Sequence, residues 1–137
     1  MQQVYKLRGL PGSGKSTWAI EWVNEDPKTR VRVNRDSIRR QLGPYWVPTR
    51  ETLVTAIEHS MIKHGLDHGF SVVIDATNFR DGFNWISKSI FPNVEVIIKD
   101  FTDVPIETCI ERDRNRPKEE QVGEEVIRNM YNKYLKK

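Results

Sequence analysis

Residues 9–17 read Gly-Leu-Pro-Gly-Ser-Gly-Lys-Ser-Thr, directly after a short apolar stretch. Gly9, Gly14, Lys15 and Ser16 fill the fixed positions of the P-loop pattern, Gly-x4-Gly-Lys-Ser. Residues 4–7 before it read as a strand, and residues 15–24 after it as a helix that ends near Asn-Glu-Asp-Pro-Lys. That context makes a phosphate cradle. Glycines let backbone N–H groups turn inward around an anion, and the helix N-terminus adds its positive end. On this reading Gly12, Ser13, Gly14, Lys15, Ser16 and Thr17 hold the phosphates of ATP or another NTP. Lys15 reaches the β- and γ-phosphates, and the Ser16 hydroxyl ligates Mg²⁺. The competing reading, a glycine turn that only caps a helix, leaves the filled Lys and Ser positions unexplained.

Working outward, apolar runs alternate with helix-period segments. Strands are predicted over residues 31–33, 70–74 and 94–98, and helices over residues 36–42, 50–68, 82–90, 105–112 and 124–135. Pro105 suits a first helical turn, and Gly43-Pro44 stops the second helix. Strand–helix alternation with few hairpin signals predicts an α/β fold with a parallel sheet and right-handed crossovers. The chain of 137 residues fits one domain, residues 1–137, with no repeat or linker. One detail resists a two-sided apolar sheet. Lys6 and Arg8 share a face with Val4, so either the helix layer over them is incomplete or Arg8 turns toward the site.

Apolar residues make up 37% and charged residues 30%, a globular composition. No run approaches the roughly 20 apolar residues that span a bilayer, so no membrane partner is expected. The start of the chain lacks a secretory pattern, and Cys109 is alone. A cytoplasmic location is the expectation, the host cytoplasm if the protein is phage-encoded. The net charge of +3 suits a phosphate-rich partner without demanding one. Its arginines are concentrated at Arg30, Arg32, Arg35, Arg39 and Arg40, and again at Arg112, Arg114 and Arg116.

Asp36 follows the second strand, at the sheet edge where ligands of doubly wound folds bind. It could take the proton of an acceptor hydroxyl, while Arg39 on the same helical face grips a neighbouring phosphate. Asp36 is equally well placed to be a helix N-cap. Asp75 ends the third strand in Val-Val-Ile-Asp-Ala-Thr-Asn. It either supports Mg²⁺ alongside Ser16, with Thr77 and Asn78 at the acceptor, or closes an Asx turn. Arg112 and Arg116 flank a charged, loop-like stretch that could close over the nucleotide or simply complement a helix C-terminus. Tyr45 and Trp46 could stack a base, though loop aromatics more often pack inward. Trp18 and Trp22 read as core, and the three histidines share no ligand spacing.

Taken together, the blocks at residues 9–22, 34–39, 75–78 and 112–117 resemble the kinase domain of phage-type 5′-hydroxyl polynucleotide kinases, in order and spacing over nearly the whole chain. The resemblance implies a three-layer P-loop kinase domain of the adenylate-kinase type. Such a domain has a central parallel sheet of about four strands and a small helical or loop lid near residues 112–123. It implies a general base at Asp36 on a 5′-OH, a contact from Arg39 to the phosphate beside the acceptor nucleoside, and a lid arginine at Arg116 on the donor phosphates. It also implies that Arg112 stacks on the donor base. Some members carry a carboxylate where this chain has Ala76, and the Asp-x-Asp-x-Thr motif of bifunctional relatives does not occur. Removal of 3′-phosphates is therefore not expected.

The function expected is transfer of the γ-phosphate of ATP or another NTP to the 5′-OH end of DNA or RNA, as in end repair, with Mg²⁺. Lys15, Asp36 and Arg116 are the catalytic residues of that reading, which leaves room for a homo-oligomer. Two rivals are a small-molecule kinase acting on nucleosides, nucleotides or sugars, and an ATP-gated nucleic-acid-binding module without phosphate transfer.

Overall fold

A computed structural model describes residues 1–80 and 82–137. The strands are β1 (Gln2–Arg8), β2 (Arg30–Asn34), β3 (Ser71–Asp75) and β4 (Val94–Asp100). The helices are α1 (Lys15–Glu25), α2 (Arg35–Gln41), α3 (Glu51–Asp67), α4 (Ile106–Arg114) and α5 (Glu124–Tyr134). Short 3-10 turns at Pro48–Arg50 and Lys118–Glu120 precede α3 and α5. The strands form one sheet, ordered β2-β3-β1-β4, with every neighbouring pair parallel. The P-loop strand is therefore central.

The sheet alternates by the two-residue period of an extended chain. Val4, Val33, Val72 and Ile74 pack on one face with Val54, Ile62 and Leu66 of α3. Leu7 and Val73 turn the other way, against Ala19 and Trp22 of α1. A third cluster joins Leu10 of the P-loop to Cys109, Ile110 and Ile127, so α4 and α5 brace the strand ends from beside the site. All four strands run the same way, which gathers the segments after β1, β2 and β3 at one edge.

The helix predicted over residues 82–90 is a correction. That stretch is a series of isolated turns, closed by Ile86 N–H to Phe83 O, Ser87 N–H to Trp85 O and Phe91 N–H to Ser87 O. Its helix-like apolar spacing is satisfied without a helix, because Phe83, Ile86 and Phe91 each reach the core. Trp85 is tied to His59 of α3 by a 3.1 Å hydrogen bond. Asn84, Ser87 and Ser89 belong to residue types whose side chains compete with the helical backbone.

Candidate active site

The P-loop leaves β1 at Gly9 and enters α1 at Lys15. Gly12 has φ +83°, and a Cβ there would meet the Cys109 carbonyl oxygen at 2.4 Å, so the loop lies too close to α4 for any side chain. Gly14, at φ +98°, turns the chain into the helix. Lys15 is only 7% exposed. Its ammonium donates to the carbonyls of Gly9 at 2.9 Å and Leu10 at 2.7 Å. Burial pushes its pKa down to about 8, with the Arg116 cation adding to the effect against Asp75, Cys109 and Asp36. Gly12 to Thr17 line a cavity of about 650 Å³, which Trp18, Phe101, Arg112 and Arg116 complete. The six P-loop residues singled out by sequence and both arginines thus share one chamber.

Behind the loop, the Ser16 hydroxyl donates to Asp75 Oδ2 at 2.8 Å. Asp75 is 1% exposed. The same oxygen accepts from Arg32 Nε at 2.9 Å and from Asn34 Nδ2 at 3.2 Å, with Arg32 Nη2 at 2.7 Å. A hydroxyl and a carboxylate side by side fit Mg²⁺, which takes one or two protein oxygens and fills its shell with phosphate and water. Among the described residues no group of three or more His, Cys, Asp or Glu forms a closed metal cage.

Asp36 is not the cap of α2. That role falls two residues earlier, where the Asn34 side chain accepts from Ser37 N–H and from its hydroxyl, both at 2.8 Å. Asp36 Oδ1 instead accepts from Arg39 Nη1 at 2.7 Å and from the Tyr45 hydroxyl at 2.8 Å. Glu51, opening α3, grips the other edge of the Arg39 guanidinium at 3.0 Å and 2.5 Å. Burial works against the Arg39 charge, but the Glu51 hydrogen bond and the charges of Asp36 and Glu51 outweigh it and raise its pKa. Burial, the Asp36 charge and their hydrogen bond push Tyr45 up to about 12, so it stays a donor. Asp36, Arg39, Tyr45, Asp75, Thr77 and Pro11 line a cavity of about 200 Å³ beside the loop.

Thr77 lines this cavity and a neighbouring one of about 400 Å³. Asn78 sits differently. At φ +51°, its amide donates to the carbonyls of Leu7 at 2.6 Å, Ile74 at 3.2 Å and Ala76 at 3.3 Å, latching the end of β3 to β1. Arg112 donates to Gly12 O at 3.2 Å, and Arg116 lies 3.8 Å from Asp113. Asp113, 2% exposed, accepts from the N–H groups of Val122 and Gly123, both at 2.9 Å, and so closes residues 112–123 into a loop pinned at its base. Sequence reasoning missed Arg32, Glu51, Asp113 and the hydrogen bond from Tyr45. Charge alternation at Arg32 and Asp113 was the available signal. Trp18, read as core, also lines the donor chamber.

The family model of the AAA domain matches residues 4–136, and the chain belongs to that family. The fold is that of a P-loop kinase, with a cradle suited to the phosphates of a nucleotide. The chain is similar to an L-seryl-tRNA(Sec) kinase of Methanococcus maripaludis, 30% identical over 93% of this chain and 51% of the relative. It is also 27% identical, over 98% of its length and 21% of the relative, to a protein of Autographa californica nuclear polyhedrosis virus that bears the name bifunctional polynucleotide kinase/RNA ligase. A chain of the Pnkp1/Rnl/Hen1 RNA repair complex superposes with a TM-score of 0.77 at 26% identity, over 97% of this chain and 44% of that one. A second structure of the Pnkp1/Rnl/Hen1 complex gives 0.64 at 27%, over 85% and 40%. The chain therefore spans about half the length of the first curated relative and about a fifth of the second.

Proposed function

We propose that this protein is a polynucleotide 5′-hydroxyl kinase, transferring the γ-phosphate of ATP or another NTP to the 5′-OH end of DNA or RNA. The observation that carries the reading is Asp36. Relieved of capping by Asn34, its carboxylate is held between Arg39 and Tyr45 in a cavity that the P-loop also lines. A carboxylate held beside an arginine suits an alcohol whose neighbouring group is a phosphate. The viral relative and the repair-complex neighbours carry names of the same class.

In this mechanism the 5′-oxygen attacks the γ-phosphorus as the bond to the β,γ-bridging oxygen breaks, and the nucleoside diphosphate leaves. Asp36 orients the hydroxyl and takes its proton, while Arg39 holds the first internucleotide phosphate. Lys15 swings from the carbonyls of Gly9 and Leu10 onto the β- and γ-phosphates, where its charge is returned toward ordinary strength. Arg116 steadies charge on the transferred group from the lid, residues 112–123, and Arg112 lies against the donor base. Ser16 and Asp75 would hold Mg²⁺, which supplies charge neutralisation at the phosphates. Thr77 faces the acceptor, and Asn78 fixes the strand end that carries it.

A second reading is favoured by the 30% identity to a seryl-tRNA kinase: the acceptor alcohol is carried on a charged tRNA. One acceptor panel with γ-labelled ATP separates the possibilities. It would contain a 5′-OH oligodeoxynucleotide, a 5′-OH oligoribonucleotide, seryl-tRNA and a free nucleoside. Label on the oligonucleotides is the expected outcome. Label on seryl-tRNA or the nucleoside alone would overturn the polynucleotide reading.

A further inference from the structure

Lys6 and Arg8 take no part in the donor or acceptor chemistry; both are half-buried, with the Lys6 ammonium 5.8 Å from the centre of the Phe83 ring. In register, Lys6 pairs with Ile98 and Arg8 with Asp100 on β4. Ile98 is 63% exposed, and Val96 on the same face is exposed as well. Lys6, Arg8, Phe79, Arg80 and Ile98 line a cavity of about 220 Å³. This cavity does not stand alone. It shares Asn78, Phe79 and Arg80 with the 400 Å³ cavity, which in turn shares Arg35, Ala76, Thr77 and Met130 with the pocket holding Asp36. Cavities that share lining residues thus follow one another from the Asp36 carboxylate, past the end of β3, to Arg8 and Ile98 on β1 and β4.

The chemistry is mixed at the Asp36 end, where Arg35 is paired with Glu58, and becomes cationic and aromatic toward Arg8. Arg8 lies 5.3 Å from the centre of the Phe79 ring, Phe79 stacks on Tyr134 at 4.9 Å and 13°, and Arg80 donates to the Tyr134 hydroxyl at 3.1 Å. Most other arginines are matched by carboxylates, as in Arg30–Glu25, Arg32–Asp75, Arg35–Glu58 and Arg39–Glu51. Among the described residues, neither Arg8 nor Arg80 is in a salt bridge. Cations interleaved with flat rings match a single strand, whose phosphates meet the charges and whose bases lie on the rings.

We infer that this row of cavities seats the nucleotides downstream of the reacting 5′ end as a single strand. Arg8 and Arg80 contact phosphates, and Tyr134, backed by Phe79, offers a stacking surface. The inference rests on the polynucleotide reading, and it gives the protein a preference for acceptors several nucleotides long. The bare apolar lip at Ile98 is then covered by substrate rather than by another protein.

The test is equilibrium binding of a 3′-fluorescein-labelled, 5′-OH single-stranded 12-mer to the wild-type protein, to Arg8→Gln/Arg80→Glu and to Ile98→Glu, over a range of salt. Ile98 is 63% exposed and outside the buried core, so Ile98→Glu keeps the test open if the arginine variant folds poorly. Both variants are expected to bind roughly tenfold more weakly, and loss of two phosphate contacts should lower the salt slope by about 1.4. The KM advantage of the 12-mer over a 5′-OH dinucleotide, read by labelled phosphate transfer, should collapse in both. Wild-type affinity and salt slope in both variants, with the 12-mer still phosphorylated, would overturn the single-strand seat alone. A wild-type protein that neither binds nor phosphorylates the 12-mer, but does phosphorylate a nucleoside, would overturn the polynucleotide reading as well.

Discussion

Lys15 carries its charge at a cost until phosphate arrives. Burial, aided by Arg116, holds its pKa near 8 against an ordinary 10.5, so below pH 8 the ammonium is charged in both the folded and the unfolded chain and its burial penalty is felt in full. Above that, the folded protein releases the proton first and gains stability until the unfolded chain follows. Between about pH 7.5 and about pH 9.5 the wild type should therefore gain roughly 2 kcal/mol on Lys15→Met, read by urea denaturation of the nucleotide-free proteins. A constant gap would mean that the lysine is not desolvated. Glu51 acts through Arg39. Glu51→Gln should raise KM for a 5′-OH oligonucleotide about fivefold, roughly 1 kcal/mol, while kcat moves much less. An equal effect with a free nucleoside, which has no adjoining phosphate, would remove the positioning role. At this scale Lys15 and Ser16 were legible because the motif fixes them. Tyr45 and Glu51 were not, because they reach Asp36 and Arg39 across a loop whose path the sequence does not reveal.

Elements were legible where periodicity and punctuation agreed. The P-loop strand and α1 lie where the glycine motif put them, and α3 follows its apolar stripe almost residue for residue. Two places failed for physical reasons. Residues 82–90 carry helical spacing, yet isolated turns bury the same side chains. In Asn34-Arg35-Asp36 both polar residues are good caps, and only the register of α2 decides between them. Asn34 wins, and its amide also reaches the Asp75 carbonyl at 2.9 Å. Asn34→Ala should therefore destabilise the protein by about 1 kcal/mol for the cap, and more for the lost buried bond. Asp36→Ala, on a half-exposed side chain, should cost less in the same urea titration. The reverse order would restore Asp36 as the cap and weaken its role toward substrate.

Across the whole molecule, parallel strands bring three chain segments to one edge: the P-loop after β1, Asp36 after β2, and Asp75 to Asn78 after β3. That convergence was foreseeable from strand–helix alternation, since each crossover returns the chain to the same side. The row of cavities past Arg80 was not, because it depends on loop paths that periodicity does not reveal. The basic residues Lys6 and Arg8 read as an anomaly in sequence; in the structure they are half-buried, Lys6 under Phe83 and Arg8 beside Phe79. Among the described residues no helix is long and apolar enough to cross a membrane, so the apolar lip beside them is not part of a membrane-spanning helix.

The most direct measurement compares wild type with Asp36→Asn in two assays on the same preparation: transfer from γ-labelled ATP to a 5′-OH oligonucleotide, and equilibrium binding of ATP. Transfer should fall by at least about a hundredfold, within the range for a lost acid–base group, while ATP affinity stays within about twofold. Undiminished transfer by Asp36→Asn would contradict the assignment of the acceptor carboxylate, and with it the mechanism built around this edge of the sheet.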